Sequence, residues 1–294
     1  MLNHLARWLL VPLASLPLRA LHIFGGLIGT TLWHLPTEAR RTTMANLVRC
    51  FPTLDRASLH RLARVSLQES GKSLTEAAAL WSWPRARVLG LVQETAGFDA
   101  LHASIAQGRG VILAAPHLGA WEMAGLYCST LGYPLTSLYR PSRVSAVDTS
   151  MRRGREALGA RLVPADQSGV KALLQTLKEG HLVGILPDQD PGRDRGIFAQ
   201  FFGIQANTMT LLSRLAQKTG APVFLVYAQR LPKGTGYRLV CRPCSALITT
   251  GTIEESVDAL NAAVESAARE IPEQYLWSYK RFKTRPGTSR HFYD

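Results

Sequence analysis

The chain has 294 residues, of which 46% are hydrophobic and 19% are charged. That composition provides one sizeable core or two small ones and excludes a wholly disordered protein. Its 34 basic residues outnumber the 21 acidic ones, for a formal net charge of +13. Such an excess indicates an anionic partner, unless it only reflects the base composition of the gene. Four cysteines are too few for a disulfide scaffold in a chain of this length.

The most apolar part of the chain is the segment 5–35. Pro12 and Pro17 interrupt it, and Arg19 and His22 lie in its middle, so neither half reaches the roughly 20 apolar residues of a spanning helix. We expect residues 1–36 to anchor the protein to a membrane, either as one kinked span or as a helix lying in the interface. A buried N-terminal helix is the alternative.

Positive residues follow this segment closely, at Arg40, Arg41 and Arg49. Because such residues tend to stay on the cytoplasmic side, the pattern predicts that the body of the protein lies on the cytoplasmic face of a membrane. We expect residues 37–294 to form a single domain, with a helical part over 37–95 and an α/β core over 96–294.

Beyond a helical stretch at 55–81, short apolar runs alternate with amphipathic stretches. The runs predict strands at 111–115, 135–139, 182–186, 222–228 and 237–241, and the stretches predict helices at 120–131, 144–158, 170–178 and 208–218. Gly132, Gly159, Gly180 and Gly220 follow the helices, where a left-handed cap favours glycine. The predicted fold is α/β, with a mostly parallel central sheet flanked by helices and a ligand site at the carboxyl ends of the strands.

A histidine and an acid follow the first of these strands, in the stretch from His117 to Glu122. Five residues apart on one helix, they would point in different directions. A connection that starts after Pro116 and turns tightly at Gly119 would instead fold the imidazole onto the carboxylate. A carboxylate on one ring nitrogen prepares the other to take a proton from a hydroxyl. A structural histidine and a glutamate favoured by the helix dipole are the ordinary alternatives.

These residues resemble the His-X4-acid motif of the lysophospholipid acyltransferase superfamily, and the surrounding sequence is similar to the late acyltransferases of lipid A biosynthesis, the lauroyl and myristoyl transferases. The similarity covers nearly the whole chain. It is carried by Ala45-Asn46-Leu47, Cys50-Phe51-Pro52, Tyr139-Arg140-Pro141, the stretch PDQDPGRDRGIFAQFFG at 187–203, Gly220-Ala221-Pro222-Val223 and YLWSYKRFKTRP at 275–286.

The resemblance implies an acyltransferase that moves a fatty acyl chain from acyl-acyl carrier protein to a hydroxyl of an acylated glucosamine disaccharide. It implies His117 as the general base and Glu122 as its partner, without a metal or redox cofactor. It also implies an enzyme at the bacterial inner membrane, with the catalytic domain on the cytoplasmic face. Close alternatives are another glycolipid, aminolipid or lysophospholipid acceptor, an acyl-CoA donor, or a non-catalytic lipid-binding protein.

Further residues are candidates for substrate binding. Arg140 follows the second predicted strand and could hold a phosphate of the substrate or of pantetheine, and Gly119 lies in the turn beside His117. The remaining candidates follow the third strand: Asp188, Gln189, Asp190 and Arg195. Asp188 either orients the sugar or structures the loop. Aromatic residues at 198, 201 and 202 either line an acyl channel or belong to the core.

A basic run with aromatic neighbours lies near the C-terminus, at 280–285. Nucleic acid, an anionic membrane and an acidic carrier protein would all favour such a run. The apolar N-terminal segment favours the membrane and the carrier protein over nucleic acid. A solvated charged face is the simplest alternative.

Overall fold

The computed structural model describes residues 13–142, 144–287 and 292–293. The helices bounded by described residues before the first strand are α1 (Leu18–His34), α2 (Glu38–Cys50), α3 (Arg56–Leu80) and α4 (Arg85–Leu89). The later helices are α5 (Phe98–Ile105), α6 (Trp121–Cys128), α7 (Ser145–Ala157), α8 (Gln167–Lys178), α9 (Leu211–Thr219), α10 (Leu247–Thr250) and α11 (Ile253–Glu270). Residues 1–12, which contain the first part of the expected anchor, lie outside the described residues.

Seven strands form the central sheet, in the spatial order β1-β9-β8-β2-β5-β3-β4. They are β1 (Val92–Ala96), β2 (Val111–Ala114), β3 (Leu135–Tyr139), β4 (Ala160–Pro164), β5 (Leu182–Ile185), β8 (Val223–Arg230) and β9 (Tyr237–Pro243). Every neighbouring pair is parallel except β8 and β9. A separate antiparallel hairpin consists of β6 (Ile197–Phe201) and β7 (Ile204–Thr208).

This architecture confirms the expected α/β fold with a mostly parallel sheet between helices. The five predicted strands and four predicted helices are present, with bounds shifted by a few residues. All four cap glycines have positive φ, from +69° to +105°, as the left-handed cap requires. Two buried clusters of apolar side chains cover the two faces of the sheet, and the hairpin packs on α11.

Helix α1 lies against α3 and buries only one of its faces. Gly25 and Gly29 of α1 meet Gly71 of α3 so closely that a Cβ at any of these positions would lie within 2.6 Å of backbone atoms of the other helix. Residues on the outer face of α1, Ile23, Phe24 and Leu27, are about half exposed. Within the described residues, no helix combines the length and the apolar character needed to cross a bilayer.

The C-terminal segment after α11 returns to the core and buries one cation of its basic run. Arg281 is 2% exposed, and its guanidinium donates to the backbone oxygen of Asn207 and the hydroxyl of Thr208, both at 2.6 Å. Lys280 pairs with Glu38 at 2.6 Å. The expectation that the basic run docks an anionic partner is therefore wrong for Arg281, because its guanidinium is buried and bonded within the fold.

Candidate active site

The loop that follows β2 carries His117 and is fixed on every side. The backbone N–H of Gly119 donates to the oxygen of Gln274, and that of Ala120 donates to the oxygen of Ala228 on β8. Leu276 returns a hydrogen bond to the oxygen of His117. Gly119 has a φ of +61°, and a Cβ there would lie 2.1 Å from the oxygen of Ala228. The close approach to β8 and the left-handed backbone together require glycine at this position.

The ring of His117 is bonded through both nitrogens. Its Nδ1 lies 2.8 Å from Oδ1 of Asp188, while its backbone N–H donates to Oδ2 of the same carboxylate at 2.9 Å. Its Nε2 lies 3.1 Å from the amide nitrogen of Gln189. Because an ionised carboxylate only accepts hydrogen bonds, Nδ1 carries the proton and Nε2 presents a lone pair. That lone pair is the base that proton abstraction needs.

Asp188 is buried, yet it remains ionised. Burial raises the pKa of its carboxyl, but the electrostatic interaction with the His117 ring, the two hydrogen bonds from His117 and the nearby charge of Arg281 outweigh burial, so the net pKa is lowered. The position follows from the sheet, since β5 lies next to β2 and both strands run in the same direction. The loops after their carboxyl ends consequently meet at one edge.

Glu122 does not take the place expected for it. Its carboxylate accepts from Nε and a terminal nitrogen of Arg155, at 3.0 and 2.6 Å, and from the indole N–H of Trp81 at 2.8 Å. Asp188 occupies the position on His117 Nδ1 that Glu122 was predicted to fill. The physical reason is the geometry of α6: Glu122 lies in its first turn, where its carboxylate is held by the two-pronged guanidinium of α7.

An apolar cavity of about 70 Å³ lies beside the ion pair of Glu122 and Arg155. Its walls are mostly aliphatic; the aromatic and polar side chains among them are Trp121, Glu122, Ser129, Ser137 and Arg155. The indole of Trp121 also contacts the ring of His117, with the ring centroids 5.2 Å apart. Trp121 thus contacts both the imidazole of His117 and the apolar cavity. A Cβ built on Gly125, which also lines the cavity, would meet no atom within 4 Å.

A buried ionic cluster supports the other side of the histidine loop. Arg230, at the end of β8, donates to Glu76 and Glu69 of α3 and to the backbone oxygen of Gly119 at 3.0 Å. His22 of α1 lies 2.8 Å from the same Glu76 carboxylate. Burial raises the pKa of Glu76, but Arg230 and His22 lower it to about 2. The cluster ties α1, α3 and the loop that carries His117 together through charge-assisted hydrogen bonds.

The other predicted binding residues separate into two groups. Asp190 is buried in a structural cluster, where it accepts from the backbone N–H groups of Gly192 and Thr284 and from the amide of Asn207. Arg140 and Arg195 are exposed, with no side-chain hydrogen bond or ion pair in the described part of the chain. The structure therefore brings Asp188, Gln189 and Gly119 to His117, and leaves the other three outside this contact.

Comparison with known proteins identifies the family to which the chain belongs. A model described as bacterial lipid A biosynthesis acyltransferase matches residues 2–284. The chain belongs to this family. It is 28% identical to the lipid A biosynthesis lauroyltransferase of Escherichia coli K12 over 280 residues, which cover 95% of the chain and 89% of that protein. It is 30% identical to the palmitoleoyltransferase of the same strain over 285 residues, with the same coverage, and 26% identical to its myristoyltransferase over 269 residues, covering 88% and 80%.

As a lipid A biosynthesis acyltransferase, the protein catalyses acyl transfer, and its site contains residues that the sequence analysis did not identify. Arg155, Trp81 and Arg230 come from three different parts of the fold and contact Glu122 or the loop that carries His117. Several arginines occur in α7, at 152, 153 and 155, but no spacing distinguishes the one that reaches Glu122. Only the packing of α7 and α3 against α6 makes that distinction.

Proposed function

We propose that this acyltransferase transfers a fatty acyl chain from acyl-acyl carrier protein to a hydroxyl of an acylated glucosamine lipid A precursor, with His117 as the general base. The observation that supports the base most directly is the hydrogen bond between Nδ1 of His117 and the ionised, buried carboxylate of Asp188. It leaves Nε2 unprotonated and fixes the direction of its lone pair.

The reaction then needs no acyl-enzyme. Nε2 of His117 takes the proton of the acceptor hydroxyl, and the oxygen attacks the carbonyl carbon of the thioester. Collapse of the tetrahedral intermediate breaks the carbon–sulfur bond, and the imidazolium returns the proton to the departing thiolate. Asp188 stabilises the imidazolium while it exists, and its two hydrogen bonds keep the ring in one orientation.

Gln189 stands where the hydroxyl has to bind. Its amide nitrogen donates to Nε2 of His117 in this structure, so the acceptor hydroxyl replaces that donor when it enters. The released amide stays within reach of the reacting centre, where it can donate to the substrate. This is a substrate-binding role, as the sequence analysis expected for Gln189.

Glu122 and Arg155 serve the acyl donor in this proposal. Their ion pair forms the polar end of the apolar cavity, and Trp121 connects that cavity to His117. We assign the cavity, at about 70 Å³, to a short segment of the fatty acyl chain, since its aliphatic lining matches a hydrocarbon. Glu122 then positions α6 and Arg155 at the entrance and does not act on the histidine directly. Arg140, exposed after β3, remains the candidate for a phosphate of the donor or acceptor.

The location proposed for the enzyme is the cytoplasmic face of the bacterial inner membrane, with residues 1–36 as the anchoring segment and 37–294 as the catalytic domain. Supporting this, α1 leaves an apolar face uncovered at Ile23, Phe24 and Leu27, as a helix lying in the bilayer interface does.

Mass spectrometry of the product tests the activity. The purified protein is supplied with a tetra-acylated lipid A precursor and with either acyl-acyl carrier protein or acyl-CoA, and the mass gained by the acceptor identifies the chain. His117→Ala should abolish transfer, whereas the control His181→Ala, at the opposite end of β5, should leave it unchanged. Full transfer by His117→Ala would refute the general base. Transfer only from acyl-CoA, or only to another lipid, would replace the proposed donor or acceptor.

A further inference from the structure

A second, polar pocket of about 500 Å³ lies between α1, α3 and the turn that joins β8 to β9. It is distinct from the apolar cavity beside Glu122 and shares no lining residue with it. Its charged lining consists of Arg19, Lys72, Arg230, Lys233, Glu69 and Glu273. The turn closes directly on α1, since a Cβ at Gly234 would lie 2.7 Å from Cα of Arg19.

The four cations of this pocket differ in how they are neutralised. Arg230 is bonded to Glu69 and Glu76, and Lys72 pairs with Glu69. Among the described residues, no carboxylate lies within ion-pair distance of Arg19 or Lys233. These two exposed side chains come from two separate elements that border the pocket, α1 and the β8–β9 turn.

The rim of the pocket is apolar on one side. Ile23 and Val65 line it and are 59% and 38% exposed. Phe24 and Leu27 continue the apolar surface along α1. A molecule that fits both features carries a charged group joined to hydrocarbon, with its anionic part between the two cations and its chains along α1. Phosphate-bearing lipids have this construction.

From this juxtaposition we infer that the pocket binds the phosphate group of a membrane lipid headgroup, held between Arg19 and Lys233. The occupant is either an anionic phospholipid of the bilayer or the phosphorylated acceptor itself, because both present the same phosphate chemistry. Glu273 at the edge of the pocket opposes the anion, so the affinity is limited by this one carboxylate. The inference rests on the proposed membrane location, and it does not depend on which residue is the catalytic base.

The pocket also shares a residue with the surroundings of the loop that carries His117. Arg230 forms part of its wall and donates to the oxygen of Gly119, two residues after His117. Arg230 thus contacts both the pocket and the loop that carries His117. An acceptor bound by its phosphate would reach the loop from the side of α1.

Binding measurements on the full-length protein test the site without relying on turnover. One set uses phosphatidylcholine vesicles with and without phosphatidylglycerol, and the other uses the phosphorylated and the dephosphorylated acceptor in neutral detergent micelles. The test variant is Arg19→Gln with Lys233→Gln. The control, Lys178→Gln with Lys218→Gln, removes the same charge from exposed positions on α8 and α9. Glu273→Gln is a third variant, expected to act in the opposite direction.

Each cation near an anionic lipid surface contributes about a fivefold increase in affinity, so the test variant should bind about 25-fold more weakly than the control variant. Glu273→Gln should bind up to about fivefold more tightly. A loss confined to phosphatidylglycerol vesicles identifies the bilayer as the source of the phosphate, and a loss confined to the phosphorylated acceptor identifies the substrate. Equal affinities of the test and control variants in both sets, with unchanged thermal unfolding, would overturn the site. Absence of acyl transfer by the unaltered protein would leave these binding results intact and refute only the proposed function.

Discussion

Replacing Asp188 by asparagine is the sharpest test of the catalytic arrangement, because it changes charge and hydrogen bonding with almost no change in volume. The backbone N–H of His117 can only donate, so the amide oxygen of the new side chain has to face it, at the position now 2.9 Å away. The amide N–H₂ then faces Nδ1, which accepts a hydrogen bond. The ring is forced into the tautomer with its proton on Nε2, and that nitrogen can no longer act as a base.

The expected fall in kcat follows from two interactions of His117 that the substitution removes. The imidazolium that forms during transfer loses a carboxylate in direct contact, an attraction of about 4 kcal/mol for unit charges about 4 Å apart at an effective dielectric constant near 20. The productive tautomer of His117 also lacks its charge-assisted hydrogen bond to Asp188 in the variant, which adds roughly 1.5–3 kcal/mol to the activation barrier. These two losses together correspond to a fall in kcat of about 10⁴ to 10⁵, with little change in KM for the acceptor.

The assay is steady-state acyl transfer followed by mass spectrometry, with circular dichroism to verify folding. Glu122→Gln is the matched comparison: it also neutralises a buried carboxylate, but one bonded to Arg155 and Trp81 and not to His117. We expect it to lower the thermal midpoint and to change kcat by less than about tenfold. The reasoning fails if Asp188→Asn keeps more than about a tenth of kcat, or if a folded Glu122→Gln protein loses as much kcat as Asp188→Asn.

Three other substitutions have defined outcomes. Glu76→Gln should lower the free energy of unfolding at pH 7 by about 3 kcal/mol, measured in urea titrations, because the pKa of Glu76 in the folded protein is about 2 and its ordinary value is 4.5. This stabilisation is complete above pH 4.5 and is lost as the pH falls toward 2. The stability of the variant should not show this dependence on pH. Gly125→Leu extends into open space in the apolar cavity and should shift the preferred acyl donor to shorter chains, measured by competition between donors of different length; an unchanged preference would contradict the assignment of the cavity. Gln189→Glu puts a carboxylate against Nε2 of His117, which favours the imidazolium and should move the acid limb of the pH–rate profile to higher pH; Gln189→Asn, which adds no charge, is the control.

The sequence was sufficient for the elements that are both apolar and regular. β2 and β5 are short, fully apolar runs between a glycine and a proline, and they were predicted within one residue of their bounds. β1 was missed because its sequence, Val-Gln-Glu-Thr-Ala, is polar and half exposed at the edge of the sheet. The β6–β7 hairpin was missed because its aromatic residues gave no clear period, although Phe201 and Phe202 proved to be core residues.

The site was predictable only in part, for a related reason. The sequence identifies His117 as a site residue because it follows a buried strand, and it identifies Asp188 and Gln189 because they follow another. Which acid touches the imidazole depends on strand order, and no single sequence states that β5 is the neighbour of β2. Glu122, nearest along the chain, was the natural choice, but the loop brings the ring to β5, and α6 directs Glu122 toward α7.

The hydrogen bonds that the loop at 117–119 receives from residues 274–276 have a consequence for how the enzyme matures. Synthesis produces the histidine long before the segment that secures its backbone, so a nascent chain that ends before Gln274 has no partner for the oxygen of His117 or the N–H of Gly119. The loop can therefore be secured only after residues 274–276 have been synthesised. A prematurely terminated polypeptide carries both His117 and Asp188 but lacks the backbone partners that hold the catalytic loop in place.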